Sequence, residues 1–174
     1  MAAALLSRRL AALGVPSGLV PVRSAGLTGQ GNASPPELIS VLAGYGIEAA
    51  AQRSRVVSAA DLADAALVLA MTREHLRYAV VTEPGAWPRT FTLRELVRRG
   101  TQIGPRRPGE PLSGWLARAH AGRDRASLLG DRAEDDVPDP TGGPPRAYAD
   151  TASLLDRLVA DLAELGWGHG GPPP

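Results

Sequence analysis

The chain has 174 residues, enough for one ordinary domain with a respectable core, and its 19 basic against 18 acidic side chains leave a net charge of +1. So even a balance gives no field that calls for nucleic acid or an anionic membrane surface, and every basic residue is arginine. There is no cysteine, which removes disulfides, thiolate metal sites and a cysteine nucleophile from this sequence.

The three histidines, His75, His120 and His169, stand far apart without metal-ligand spacing, so no metal or cofactor is expected. No apolar run is long enough to span a bilayer, and neither a membrane nor a nucleic-acid partner is expected. The opening residues are free of acids and carry Ser7, Arg8 and Arg9, a composition shared with transit peptides. Against that, Leu5, Leu6, Leu10 and Leu13 fall on one helical face and Gly14 supplies a stop, which predicts a folded helix over Ala2 to Leu13. No capping residue precedes it. Leu19 to Ser24 reads as a short strand, confined to a sheet edge because Pro21 cannot donate to a ladder, and Ser24-Ala25-Gly26 ends it.

A glycine-rich loop from Thr28 to Ala33 leads to Ser34-Pro35-Pro36-Glu37, which has the serine cap, first-turn proline and following glutamate of a helix start. That helix carries Leu38, Ile39, Val41, Leu42 and Tyr45 to Gly46. Ser58 to Asp61 repeats the cap pattern before a short helix. The unbroken apolar run Ala66 to Met71 predicts a strand buried on both faces of a parallel sheet. Thr72 caps a helix from Arg73 to about Val81, and Glu83-Pro84-Gly85 turns the chain. A brief strand near Arg89 to Phe91 is followed by Thr92-Leu93-Arg94-Glu95, a capping box opening a helix to Arg99 that Gly100 closes. Thr101 to Pro111 reads as a surface loop, Leu112 to His120 as a helix burying Trp115 and Leu116, and Arg123 to Asp136 as a mixed-charge segment. Tyr148, Leu155, Leu158, Val159, Leu162 and Leu165 recur at helical spacing. Such alternation predicts an α/β fold, a parallel sheet with helices on both faces. The predicted boundaries are one domain over 1–165 and a disordered Gly/Pro tail over 166–174.

The stretch Asp136 to Pro145 holds the one candidate catalytic residue. Asp139 lies between Pro138 and Pro140, ahead of Gly142-Gly143, on a backbone with few conformations to choose from. A carboxyl so held suits general-acid chemistry; standing alone, the same residues also describe a plain helix-entry turn. Arg98, Arg99, Arg106 and Arg107 form either a basic patch for an anionic partner or an ordinary solvated surface. His75, one turn into its helix, either reaches a cleft or is simply a helix residue.

The order of Ser24-Ala25-Gly26, Gly46-Ile47-Glu48, the run Leu67 to His75, Thr90-Phe91-Thr92-Leu93 and Asp139-Pro140 resembles the low-molecular-weight protein-tyrosine phosphatases, from Met1 to about Leu165. The resemblance implies a small flavodoxin-like fold, with four parallel strands in the order 2-1-3-4, that hydrolyses phosphotyrosine or small phosphomonoesters through a cysteinyl-phosphate. It makes Asp139 the general acid for the leaving oxygen. The family's Cys-x5-Arg phosphate loop does not occur in this sequence. Because Met1-Ala2-Ala3-Ala4-Leu5-Leu6 matches the point just after that loop, the resemblance implies that a first strand and the loop, about fifteen residues, are missing. A phosphoprotein or phosphomonoester partner is then expected only with that part restored, the chain itself is expected to be inactive, and the expected location is cytoplasmic. Thr141 stands where relatives often have an aromatic residue that packs on phosphotyrosine, and Gly29 to Ala33, the second wall of the cleft in relatives, offers Gln30 and Asn32 but no ring. A silent binding module of the same fold and an arsenate-reductase-like relative are the alternatives.

Overall fold

A computed structural model describes residues 1–16, 18–130 and 132–168. His169 and residues 169–174 of the predicted tail lie outside them. The contacts group the chain into two units, residues 1–57 with 138–160, and residues 58–137 with the chain from Asp161 onward.

The first unit holds α1 (Ala2–Ala12), α2 (Pro36–Gly44) and the opening part of α7 (Pro145–Trp167). The leucine stripe of α1 does what its spacing predicts: Leu5, Leu6 and Leu10 are buried, and Gly14, at φ 77°, takes the left-handed turn that ends the helix. Met1 caps α1 without a side-chain hydrogen bond, and burial holds its amino group below the ordinary value. On the polar side, Arg9 grips Asp156 of α7 with two bonds, Nε to Oδ1 at 3.2 Å and Nη2 to Oδ2 at 2.5 Å. Tyr148, Ala152, Leu155 and Val159 of α7 are buried at the expected helical spacing. The loop after α1 is laced to residues 53–57. Gly26 bridges Val56, Ala33 bridges Arg53, and the Gln30 side chain accepts the Val56 N–H at 2.9 Å.

The second unit carries the sheet. β1 (Val68–Ala70) and β2 (Thr90–Thr92) pair in parallel, Val68 with Thr90, Leu69 with Phe91 and Ala70 with Thr92. Around them lie α3 (Ala59–Asp64), α4 (Arg73–Thr82), α5 (Leu93–Ile103), α6 (Leu112–His120) and the end of α7. Helices α4 and α5 pack on the strands, so this is the α/β arrangement with a parallel sheet that the alternating pattern predicts. Ser58 and Asp61 make a full capping box on α3, and Thr72 caps α4 through the His75 N–H. At the centre sits Arg123, whose side chain is 1% exposed. It bonds both carboxylate oxygens of Glu95, at 2.9 and 3.1 Å, and donates to the Thr90 carbonyl at 2.9 Å. Its guanidinium lies 3.8 Å from the Trp87 ring centroid and 4.1 Å from that of Phe91. Burial pushes Arg123 down to about 10 against the pull of Glu95, which still leaves it charged at neutral pH.

Five expectations are corrected. Leu19 to Ser24 forms no strand, because Pro21 has no donor and the nearest pairing, the isolated bridge of Gly26 to Val56, lies beyond the segment. Leu67, Val68 and Leu69 are half-buried rather than covered on both faces, since among the described residues β1 has a ladder partner on one edge only. Gly100 does not close α5 but lies inside it, where an added Cβ would meet Leu165 and Trp115 at 3.0 Å; the helix ends at Gly104, at φ 79°. Ser34 does not cap α2, which begins beyond Pro35 with no side-chain cap. The helix α7 also runs through Gly166 to Trp167, two residues into the predicted tail.

Removing one partner of the Arg123–Glu95 pair strands a buried charge, and Glu95→Gln is expected to cost about 3–5 kcal/mol in urea unfolding. A cost under about 1 kcal/mol would show that the backbone carbonyls and aromatic rings hold Arg123 without the carboxylate. Glu110 gives a pH signature. Bonded by Arg118 and by the Arg107 N–H, it is lowered to about 2, so its contribution is full above the ordinary value of 4.5 and is lost as pH falls through 2. Glu110→Gln is expected to flatten the dependence of stability on pH between 4.5 and 2, measured by urea midpoints at successive pH values.

Candidate active site

The approach to the candidate acid is fastened within the second unit. Asp136 Oδ1 accepts the backbone N–H of Arg73, the first residue of α4, at 2.7 Å, and so serves its N-terminus beside the Thr72 cap. Asp135, 2% exposed, takes Arg98 at 2.8 Å and faces Arg73 at 3.7 Å. Arg94 donates to the Asp136 carbonyl at 3.2 Å, and the Val137 N–H donates to the Met71 carbonyl at 2.8 Å, just past the end of β1. Asp135 and Val137 are buried. By composition, Asp135 and Asp136 belong to a mixed-charge segment with no evident partner. The signal available was the acidic doublet directly before Val137-Pro138, but its partners lie 37 and 63 residues away.

Asp139 itself belongs to the first unit and is exposed. Its Oδ1 accepts the Thr141 N–H at 3.0 Å, an Asx turn, while among the described residues its Oδ2 takes no hydrogen bond. The chain then reverses through Pro140-Thr141-Gly142-Gly143, closed by Gly143 N–H to the Pro140 carbonyl at 2.8 Å. Gly142, at φ 76°, supplies the positive φ that the third position of a type II turn requires. The result is a carboxyl fixed by one oxygen with the other open to solvent. That is chemically suited to hold and give up a proton at Oδ2.

Other predicted positions are used differently. His75 is exposed on α4. Arg98 and Arg99 are engaged with Asp135 and Glu95, and Arg106 donates to the Gly166 and Glu110 carbonyls at 2.5 and 2.8 Å, so these side chains fasten the second unit. Trp87 and Trp115 are buried core residues, the latter donating to the Gly104 carbonyl at 3.1 Å. Among the described residues no group of acids and histidines is gathered that could hold a metal, and no helix is long and apolar enough to cross a membrane.

A family model described as low molecular weight phosphotyrosine protein phosphatase matches residues 1–102, more than half of the chain. No curated protein matches it. Among solved structures, a low molecular weight protein tyrosine phosphatase from T. tengcongensis is similar at 27% identity with a TM-score of 0.67, over 94% of this chain and 87% of that one. The YwlE arginine phosphatase from Geobacillus stearothermophilus is similar at 29% identity and a TM-score of 0.62, over 94% and 80%. A YwlE arginine phosphatase mutant with a phosphorylated active-site serine gives 25% and 0.67, over 94% and 84%. The chain belongs to the low-molecular-weight phosphotyrosine protein phosphatase family.

Proposed function

We propose that Asp139 is the general acid of a phosphomonoester hydrolase, working with a thiolate nucleophile and a phosphate loop supplied by residues outside this sequence. The observation that carries the reading is the Asp139 turn, which leaves Oδ2 open while Thr141 N–H holds Oδ1. In the reaction, a thiolate attacks phosphorus, the bond from phosphorus to the leaving oxygen breaks, and Asp139 Oδ2 delivers its proton to that oxygen. A water then takes the phosphoryl group from sulfur, with the same carboxylate accepting its proton. Family membership supports this, as does the phosphorylated serine in the active site of one similar structure. A reduced thiolate suits a cytoplasmic setting.

A second reading of the substrate has its own support. Two similar structures are arginine phosphatases, and Thr141 and residues 29–33 supply no aromatic side chain to stack on a phenyl ring. Phosphoarginine would place nitrogen rather than oxygen at the proton-accepting position, with Asp139 in the same role.

The 174-residue chain alone is expected to release no phosphate from p-nitrophenyl phosphate or phosphoarginine. Joined to a strand and Cys-x5-Arg loop of the family, it should hydrolyse one of them, and Asp139→Asn should lower kcat by about 10²–10⁴-fold on the substrate with the poorer leaving group. Turnover by the unjoined chain would refute the need for an outside nucleophile. A joined protein that folds yet hydrolyses neither substrate would leave a silent binding module as the reading.

A further inference from the structure

The exposed Asp139 loop rests on α7, and the contacts that hold it there come from residues with no chemistry of their own. Thr151, 6% exposed, sends its hydroxyl not to a carbonyl of its own helix but to the Pro138 carbonyl, at 3.4 Å, the peptide directly before Asp139. The contrast with α5 is direct: there Thr101 bonds the Val97 carbonyl four residues back at 2.9 Å, the usual outlet for a helical threonine. One helical turn before Thr151, Ala147 meets the other end of the loop. A Cβ built on Gly143 would lie 3.2 Å from the Ala147 Cβ and 3.0 Å from the Pro140 carbonyl oxygen. Gly143 has no left-handed backbone to require glycine, so the need there is close approach. Positions 147 and 151 share one helix face, so Pro138 and Gly143 are seated on it four residues apart, with Asp139 in the span between them.

We propose that Thr151 and Gly143 are positioning residues for Asp139: the 147–151 face of α7 is a platform that sets the direction of its free carboxylate oxygen. The proposal rests on the general-acid reading of Asp139 and adds how the acid is aimed. Thr151 acts through the Pro138 carbonyl and Gly143 through the turn that closes on Pro140; neither touches substrate.

The test has two arms. In the 174-residue chain, the Thr141 amide is bonded to the Asp139 carboxylate, so its resonance should follow that carboxyl as it is titrated, and Asp139→Asn should abolish the response. Thr151→Val keeps the shape of the side chain but removes the donor. It should move the amides of 139–143 and shrink the Thr141 response while those of 152–160 stay in place, and Thr151→Ser should restore both. Gly143→Ala, acting from the other end of the loop, should do the same without touching Thr151. Unchanged 139–143 amides in both variants would overturn the platform, and so would shifts spread evenly along α7, the mark of a packing defect. In the joined enzyme, Thr151→Val should lower kcat on the poorer leaving group about tenfold with KM unmoved, and by nothing further in an Asp139→Asn background. Full additivity there would overturn action through Asp139. If the joined parent hydrolyses nothing, the general-acid reading falls while the amide arm still judges the platform.

Discussion

A guanidinium clamped between two aromatic rings is the constraint on which the sheet-bearing unit depends. The Arg123 side chain has almost no exposure, and the groups around it belong to one stretch of chain about thirty residues earlier: Trp87 before β2, Thr90 and Phe91 within it, Glu95 on the first turn of α5. Desolvating such a charge is costly, and the cost is offset only if the carboxylate, the carbonyls and the ring faces are all in place together. A partial set would be worse than none. That makes the cluster a register device: β2 and α5 are held in one relation, because any slip uncovers a buried charge. Here a sheet that among the described residues has two strands, each paired along one edge only, is stiffened by side-chain electrostatics where a wider sheet would use further ladders.

Arginine does similar work throughout this lysine-free chain. Arg9, Arg89, Arg99, Arg106 and Arg118 each end on carboxylates or backbone carbonyls, often with two or more bonds. A planar fork with five donors can tie a loop carbonyl and a side chain at once, which an ammonium group cannot do as precisely. The arginines named therefore act as fasteners, some to carboxylates and some to backbone carbonyls. The segment before the candidate acid follows the same logic, with Asp135 and Asp136 taken up by Arg98 and the start of α4.

The acid loop is built by the opposite means. Asp139 is exposed, and its order comes from backbone geometry: an Asx bond, a turn that needs Gly142, prolines on both sides, and a tight seat against the first turns of α7. Rigidity without burial keeps the carboxyl open to water. In the role proposed for it, the loop would be ordered by local structure whatever supplies the nucleophile.

What the sequence determined by itself was local. The leucine spacing of α1, the caps at Ser58 and Thr72, the stop at Gly14 and the held conformation at Asp139 all depend on neighbours within about four residues, where the chain's own periodicity and steric limits decide. Tertiary structure decided whatever needed a distant partner. Gly100 reads as a helix stop until Trp115 and Leu165 press on it; residues 19–24 have strand composition but no ladder to join; Asp135 and Asp136 look like loop charges until Arg98 and α4 arrive; Thr151 is one more helical residue until Pro138 lies beside it. The physical reason is common to all four. A residue's intrinsic preference is worth a few tenths of a kcal/mol up to about 1, whereas stranding a buried charge costs several, so the presence or absence of a distant partner decides wherever the two disagree.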